Sequence, residues 1–363
     1  MLVPLIALQT QYRTIREEIR TAVDAVLERQ KFILDTEVAS LEREIAELCG
    51  ARFAIGCASG TDALLLSLLA LNAGEGDEVI TASYSFFSTA GMISWIGAKP
   101  VFVDIDPRTF LLQPGQVRQK VTSKTKAVIA VHLFGQCSRM EELDGLGVPV
   151  IEDAAQAIGA ARKGKPAGSI GITGCFSFFP TKNLGGYGDG GMITTNDETA
   201  ATRIRLLRAH GQGSTKYLHE MTGTNSRLDE LQAAVLRVKL KHLVEWNRKR
   251  NENARYYYEH LKDLLLDLPA VEPGNSHIYH QFVIKTVARD RLQKFLSEKG
   301  IGTAVYYPLP LPLQPCFAGL GHKRGDFPDA EQCAETSLAL PVYPELTEQQ
   351  LDFVASQIHN FFH

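Results

Sequence analysis

Residues 177–186 read Ser177-Phe178-Phe179-Pro180-Thr181-Lys182-Asn183-Leu184-Gly185-Gly186, and an earlier stretch, Val148-Pro149-Val150-Ile151-Glu152-Asp153-Ala154-Ala155-Gln156, sets Asp153 29 residues before Lys182. The earlier stretch is an apolar strand ending in a carboxylate. The later one is a short apolar run that passes through Lys182 into Gly185-Gly186-Tyr187-Gly188-Asp189-Gly190-Gly191, five glycines in seven residues. Glycine permits positive φ and close backbone approach; a plain flexible loop is the competing account. Open α/β sheets collect functional groups beyond the carboxyl ends of their strands. A strand that delivers Asp153 and another that leads to Lys182 therefore predict such a sheet.

The neighbouring sequence extends this pattern. Short β-rich runs at Glu78–Thr81, Pro100–Asp104, Ala127–Val131, Pro149–Glu152, Gly174–Phe178 and Gly191–Thr194 are separated by longer connections. That alternation predicts a mainly parallel sheet with helices on both faces. Apolar residues at Ile15, Ile19, Val23 and Val26 mark one helix, and Val38, Leu41, Ile45 and Leu48 mark a second that stops at Gly50. Ser59-Gly60-Thr61-Asp62 opens a buried helix over Ala63–Leu71. Arg227 to about Leu266 predicts one or two long charged helices leaving the first domain. Beyond it come a strand signal at Gln281–Val287, a helix at Arg291–Lys299, an ordered Pro-rich loop at Tyr307–Pro312 and a terminal helix from about Thr347. The expected organisation is a large domain over residues 1–245 and a smaller α+β domain over 246–363.

Composition narrows the function classes. The chain has 363 residues, 45% of them apolar and 22% charged, with a formal net charge of −3. This is enough for a large core, and it gives no electrostatic case for nucleic acid. Six cysteines show no zinc spacing and no paired C-x-x-C, so they read as small apolar residues in a reducing compartment. The N-terminus lacks a signal-peptide pattern, and no apolar run reaches the 18–20 residues or so that span a bilayer. The expectation is a soluble cytoplasmic protein with no metal.

The candidate chemistry needs three groups. Lys182 offers an amine, Asp153 a carboxylate, and the helix start at Gly60 and Thr61 a seat for an anion, since free N–H groups and the dipole favour negative charge there. Ser177 could donate another hydrogen bond. These groups suggest a pyridoxal 5′-phosphate (PLP) site, which requires an amine for a Schiff base, a carboxylate for the ring nitrogen and a cradle for the phosphate. A carboxylate about 4 Å from a pyridinium is worth roughly 4 kcal/mol at an effective dielectric near 20. That is on the order of three pKa units, enough to keep the ring nitrogen protonated. Phe86 could stack on a flat ring, although a core aromatic needs no such role. Ser59–Asp62 taken alone is also a plain helix cap, and His132 reads best as a hydrogen-bonded structural histidine.

Taken together, these stretches resemble the DegT/DnrJ/EryC1/StrS sugar aminotransferases, PLP enzymes of fold type I (aspartate-aminotransferase-like). The resemblance also runs through Gln11-Tyr12-Arg13, Phe32-Ile33-Leu34, Gly76–Thr81, Pro100–Pro107, His132–Gln136 and Asn225–Ala234. It implies that Lys182 forms the Schiff base, Asp153 meets the pyridine nitrogen, Gln156 lies near the ring hydroxyl and Phe86 stacks on the ring. Gly60, Thr61 and Ser177 would hold the phosphate, and Asn225 of the partner subunit would reach it in a homodimer with shared sites. Arg227 is implied for a substrate or donor carboxylate, Lys216 for the sugar nucleotide in trans, and Tyr306 and Tyr307 for the sugar. The sequence departs from many relatives at Tyr306, where they have His, at Pro312, often His, and at Phe179, often Tyr. All three departures fall on the sugar side.

The implied reaction moves an amino group from glutamate, through pyridoxamine phosphate, to a keto carbon of a dTDP- or UDP-linked deoxy-sugar, C3 being favoured. The product would be an amino sugar for a polysaccharide or glycosylated metabolite. Two alternatives stay open: a 4-keto-sugar aminotransferase of the same family, and a PLP-binding regulatory protein without turnover.

Overall fold

The computed structural model describes residues 1–363. In chain order, α1 (Leu8–Arg29), α2 (Thr36–Cys49), β1 (Phe53–Cys57), α3 (Gly60–Ala70), β2 (Glu78–Ala82), α4 (Ser88–Trp95) and β3 (Lys99–Val103) come first. Next are α5 (Pro114–Lys120), β4 (Thr125–Val131), β5 (Val150–Asp153), β6 (Ala161–Arg162), β7 (Lys165–Pro166), β8 (Thr173–Ser177), β9 (Gly191–Thr195) and α6 (Glu198–Leu207). The chain ends with α7 (Glu230–Leu240), α8 (Leu243–Leu261), β10 (Asn275–Ser276), β11 (Phe282–Lys285), α9 (Arg289–Glu298), α10 (Pro328–Thr336), β12 (Ser337–Leu340) and α11 (Glu348–Phe362).

Seven strands form one sheet in the order β1-β9-β8-β5-β4-β2-β3. Only β9 runs against the rest, pairing antiparallel with both β1 and β8. The predicted mixed, mainly parallel sheet is therefore present, with β1 as a strand the sequence pattern did not single out. Alternation explains why both faces are apolar. Val79, Ala127, Ile129 and Ile151 point to α3, α4 and α6, while Ile80, Val128 and Ala130 point the other way. That second face packs against Phe317, Phe327, Ala330 and Cys333 from the C-terminal part. At the β1–β9 side it is covered by α2 and α7 through Leu41, Ile45, Ala233 and Leu236.

The helix starts follow from capping. The Ser59 side chain accepts from Asp62 N at 3.1 Å, and Thr347 forms a capping box with Gln350 at the head of α11. The start of α2 is held from a distance. The fully buried carboxylate of Glu230 accepts from Asp35 N, Glu37 N and Val38 N at 2.7–3.0 Å. The expected long charged segment is two helices, α7 and α8. Trp246 at the start of α8 packs with Ile15 and Ile19 of α1, whereas Ala254, Tyr257 and Leu261 belong to a second core with β11, β12, α9 and α11. The N-terminal Val3 joins that second core. The Pro-rich stretch is ordered, with Leu311 N donating to Ser83 O at 2.7 Å. No helix is long and apolar enough to cross a membrane.

Candidate active site

Parallel strands aim their carboxyl ends at one place. β8 ends at Ser177, β5 at Asp153 and β4 at Val131 just before His132, and β2 leads into Ser83–Phe87. A cavity of about 440 Å³ opens there, closed on the other side by His280, Gln281, Tyr306 and Tyr307. Nine of the twelve residues singled out in the sequence line it: Gly60, Thr61, Phe86, Asp153, Gln156, Ser177, Lys182, Tyr306 and Tyr307. Lys216, Arg227 and Asn225 do not; Lys216 and Asn225 are exposed outside it, and Arg227 is half-buried.

Lys182 sits in the connection from β8 to β9. This is a built turn. Lys182 N donates to Phe179 O at 2.9 Å, Gly186 N to Phe178 O at 2.8 Å, and the buried Lys239 ammonium to Gly185 O at 2.6 Å. None of the loop glycines has positive φ. They serve close approach: a Cβ on Gly185 would lie 2.4 Å from Pro180 O, and one on Gly191 2.3 Å from Ser59 O. Of the two reasons the sequence offered for this glycine run, only the second operates. The next residue, Asn183, donates to Asn247 Oδ1 at 2.8 Å and Ile278 O at 3.2 Å, and its own Oδ1 meets His280 Nδ1 at 3.1 Å. The backbone that presents Lys182 is thereby tied to α8.

The Lys182 side chain lies within the cavity wall, partly accessible from the cavity. Burial lowers its pKa to about 8, and the Asp153 carboxylate opposes the fall. A substantial share of the amine is then neutral near pH 8, the form that attacks a carbonyl. Covalent capture of PLP by the cofactor-free protein is accordingly expected to quicken as pH rises through about 8 and to level off above it. A stopped-flow pH series checks this; a rate still climbing towards pH 10 would indicate an ordinary lysine near 10.4.

Asp153 is 5% exposed. Burial raises its pKa, while the Thr89 hydroxyl, the Ala155 N–H and the Lys182 charge act in the other direction. Thr89 Oγ1 donates to Asp153 Oδ2 at 2.7 Å, and Ala155 N to Oδ1 at 3.3 Å. Thr89 follows Ser88 at the head of α4, and sequence reasoning missed it; a hydroxyl three residues after a candidate stacking aromatic carries no pattern of its own. Gln156 is also fixed, accepting from Phe134 N at 2.8 Å and donating to Tyr307 Oη at 3.0 Å. Tyr84 Oη donates to Tyr306 O and accepts from Tyr307 N, each at 2.6 Å, so a fully buried tyrosine sets the paired aromatics. Phe86 is 55% exposed with its ring tilted towards Tyr307, centroids 6.1 Å apart. An exposed aromatic at a cavity has no role as core packing.

His132 is hydrogen-bonded at both ring nitrogens, as expected, and it also lines the cavity. Its Nε2 pairs with Glu152 Oε2 at 2.8 Å and its Nδ1 accepts from Ser138 N. Burial would raise the Glu152 pKa, but the His132 contact and the N–H groups of Gly171 and Gly168 hold it below its usual value.

The anion seat is tightly drawn. A Cβ on Gly60 would fall 2.6 Å from Ser177 Cβ, so only glycine lets the head of α3 come against the end of β8. Thr61 Oγ1 and Ser88 Oγ lie 2.7 Å apart. A partly neutral buried amine, a held carboxylate, an exposed aromatic face and a helix start with hydroxyls share one cavity. These residues fit PLP, and no part of that fit depends on a metal.

A fold-type I sheet with this cavity defines a PLP-dependent transferase. The pattern of the DegT/DnrJ/EryC1/StrS aminotransferase family matches residues 13–359, and the chain belongs to that family. It is 49% identical to a "Pleiotropic regulatory protein" of Geobacillus stearothermophilus, over 100% of this chain and 99% of the relative. It is 44% identical to a UDP-N-acetyl-3-dehydro-alpha-D-glucosamine 3-aminotransferase of Acidithiobacillus ferrooxidans, over 99% and 98% respectively. Among solved structures, DesV of S. venezuelae in complex with a ketimine intermediate superposes with a TM-score of 0.97 at 39% identity, covering 100% of this chain and 99% of that one.

Proposed function

We propose that this protein transfers an amino group from glutamate to the keto carbon, at C3, of a dTDP- or UDP-linked sugar. The observation that carries the reading is Lys182, an amine in the cavity wall with a lowered pKa, in the same cavity as the held carboxylate of Asp153. When bound, PLP supplies an aldehyde carbon and an electron-accepting ring that stores the amino group between donor and acceptor. Lys182 Nζ anchors it, and once the donor amine takes its place the same nitrogen moves the proton at the substrate carbon. Asp153, oriented by Thr89, holds positive charge on the ring nitrogen. Gln156 orients the ring hydroxyl side, Phe86 covers one face, and Gly60, Thr61 and Ser177 hold the phosphate. Tyr306 and Tyr307 flank the sugar.

Asn225 and Lys216, exposed in one chain, would serve the neighbouring site of a homodimer, with Arg227 beside Asn225 meeting a carboxylate. Free thiols, five of the six buried, suit the reducing cytoplasm. The C3 preference draws on the 44%-identical 3-aminotransferase and on the Tyr306–Tyr307 wall.

The second reading is a PLP-binding regulator without turnover, favoured by the name of the 49%-identical relative. One experiment separates them. Glutamate added to the purified holoenzyme should convert its visible spectrum to that of pyridoxamine phosphate, and a 3-keto sugar nucleotide should restore it. A spectrum that glutamate leaves unchanged, with cofactor bound, supports the regulator.

A further inference from the structure

A second cavity of about 40 Å³ adjoins the first and shares Thr181, His280, Gln281 and Tyr306 with it. Its remaining wall is largely apolar, with Leu5, Ile6 and Val342, and it contains Arg250. Arg250 is 5% exposed. Its Nη1 donates to Tyr279 O at 3.1 Å and His280 O at 3.4 Å, but its Nε is buried with no partner. The nearest carboxylate that affects it, on Glu345, forms no ion pair with it, and Glu345 Oε1 is itself unpartnered. Burial pushes the Glu345 carboxyl up while the Arg250 charge acts in the other direction, so Glu345 compensates the guanidinium only across a gap, without a direct contact.

A buried guanidinium with no directly paired carboxylate is costly, and that cost is offset when an anion arrives. Arginine presents a planar fork that matches a carboxylate, and an apolar wall strengthens the contact. Size restricts the ligand. The cavity has room for a carboxylate, roughly the space of two or three water molecules, and none for a sugar ring. Thr181, the residue before Lys182, lines both cavities. The Arg250 cavity thus adjoins the one that holds Lys182 at the residue next to that lysine.

We propose that Arg250 builds a carboxylate subsite that receives the distal carboxylate of a dicarboxylic amino donor. This rests on the aminotransferase reading above and adds the residue that selects the donor. Glutamate fills the subsite; alanine, with the same reacting amine and no distal carboxylate, leaves it empty.

The test compares glutamate with alanine in the donor half-reaction of the holoenzyme, followed by its spectrum. Wild type should favour glutamate by roughly 10- to 100-fold in kcat/KM, the range expected for a charged hydrogen bond. In Arg250→Lys, which keeps charge but loses the fork, that preference should fall to within about threefold while cofactor retention stays unchanged. Calorimetric titration of wild-type holoenzyme with glutarate and with butyrate gives a second readout, glutarate binding at least about tenfold tighter. An unchanged glutamate preference in Arg250→Lys overturns the proposal. So does wild type that binds glutarate no tighter than butyrate, and this comparison decides the matter even where the variant fails to fold. Wild type that binds glutarate selectively but accepts an amine from neither donor keeps the subsite and removes the aminotransferase reading instead.

Discussion

Lys182→Ala is expected to remove the visible absorption of lysine-linked cofactor and to lower turnover by at least the ~10²–10⁴-fold that a positioned proton-transfer group supplies. The fold should survive. The Lys182 ammonium makes no hydrogen bond that the variant would orphan, and burial already acts against its charged form. Alanine removes that burdened charge, so the cofactor-free variant should melt at or above the wild-type temperature. Thermal unfolding and activity are measured on the same preparation. Loss of activity together with loss of fold would make Lys182 a structural residue, and wild-type turnover would remove it from the chemistry.

Asp153→Asn is the second large effect. The substitution keeps the shape and the Thr89 contact but removes the negative charge. An ion pair worth about 4 kcal/mol at short range and moderate dielectric corresponds to a fall of about 10³-fold in rate. Cofactor capture should persist, because Lys182 remains. It should also respond at lower pH, since the Asp153 charge currently opposes the depression of the Lys182 pKa. A half-reaction pH series would show both. Asn retaining more than about a tenth of wild-type turnover would contradict the role given to the carboxylate.

Much of this was legible in the sequence for identifiable reasons. Strand–carboxylate and strand–lysine junctions recur because parallel sheets deliver their ends to one side, and Asp153, Ser177 and Lys182 meet where that rule puts them. Helices α1 and α2 showed in apolar spacing, and α2 also in its stop at Gly50. Strand β1 escaped notice because Phe53–Cys57 lies between a helix stop at Gly50 and the cap at Ser59, with Gly56 interrupting its apolar run. Strand β12 is four residues of Ser-Leu-Ala-Leu directly after α10, which a helical pattern absorbs.

The supporting contacts were less visible. Thr89, Tyr84 and Asn183 act through hydrogen bonds formed across long sequence distances, and nothing local announces them. Arg250 lies in a helix whose charge suggests a solvated face, yet it faces inward. The glycine run shows a finer limit: sequence revealed that space was needed there, and only the packing showed that backbone approach, not backbone handedness, was the cause.

Borohydride reduction of the holoenzyme, followed by proteolysis and mass spectrometry of the peptides, tests the central claim most directly. The account predicts one pyridoxyl-modified peptide, carrying the label on Lys182. Label on another lysine, or none on a protein that retains its cofactor, would contradict it.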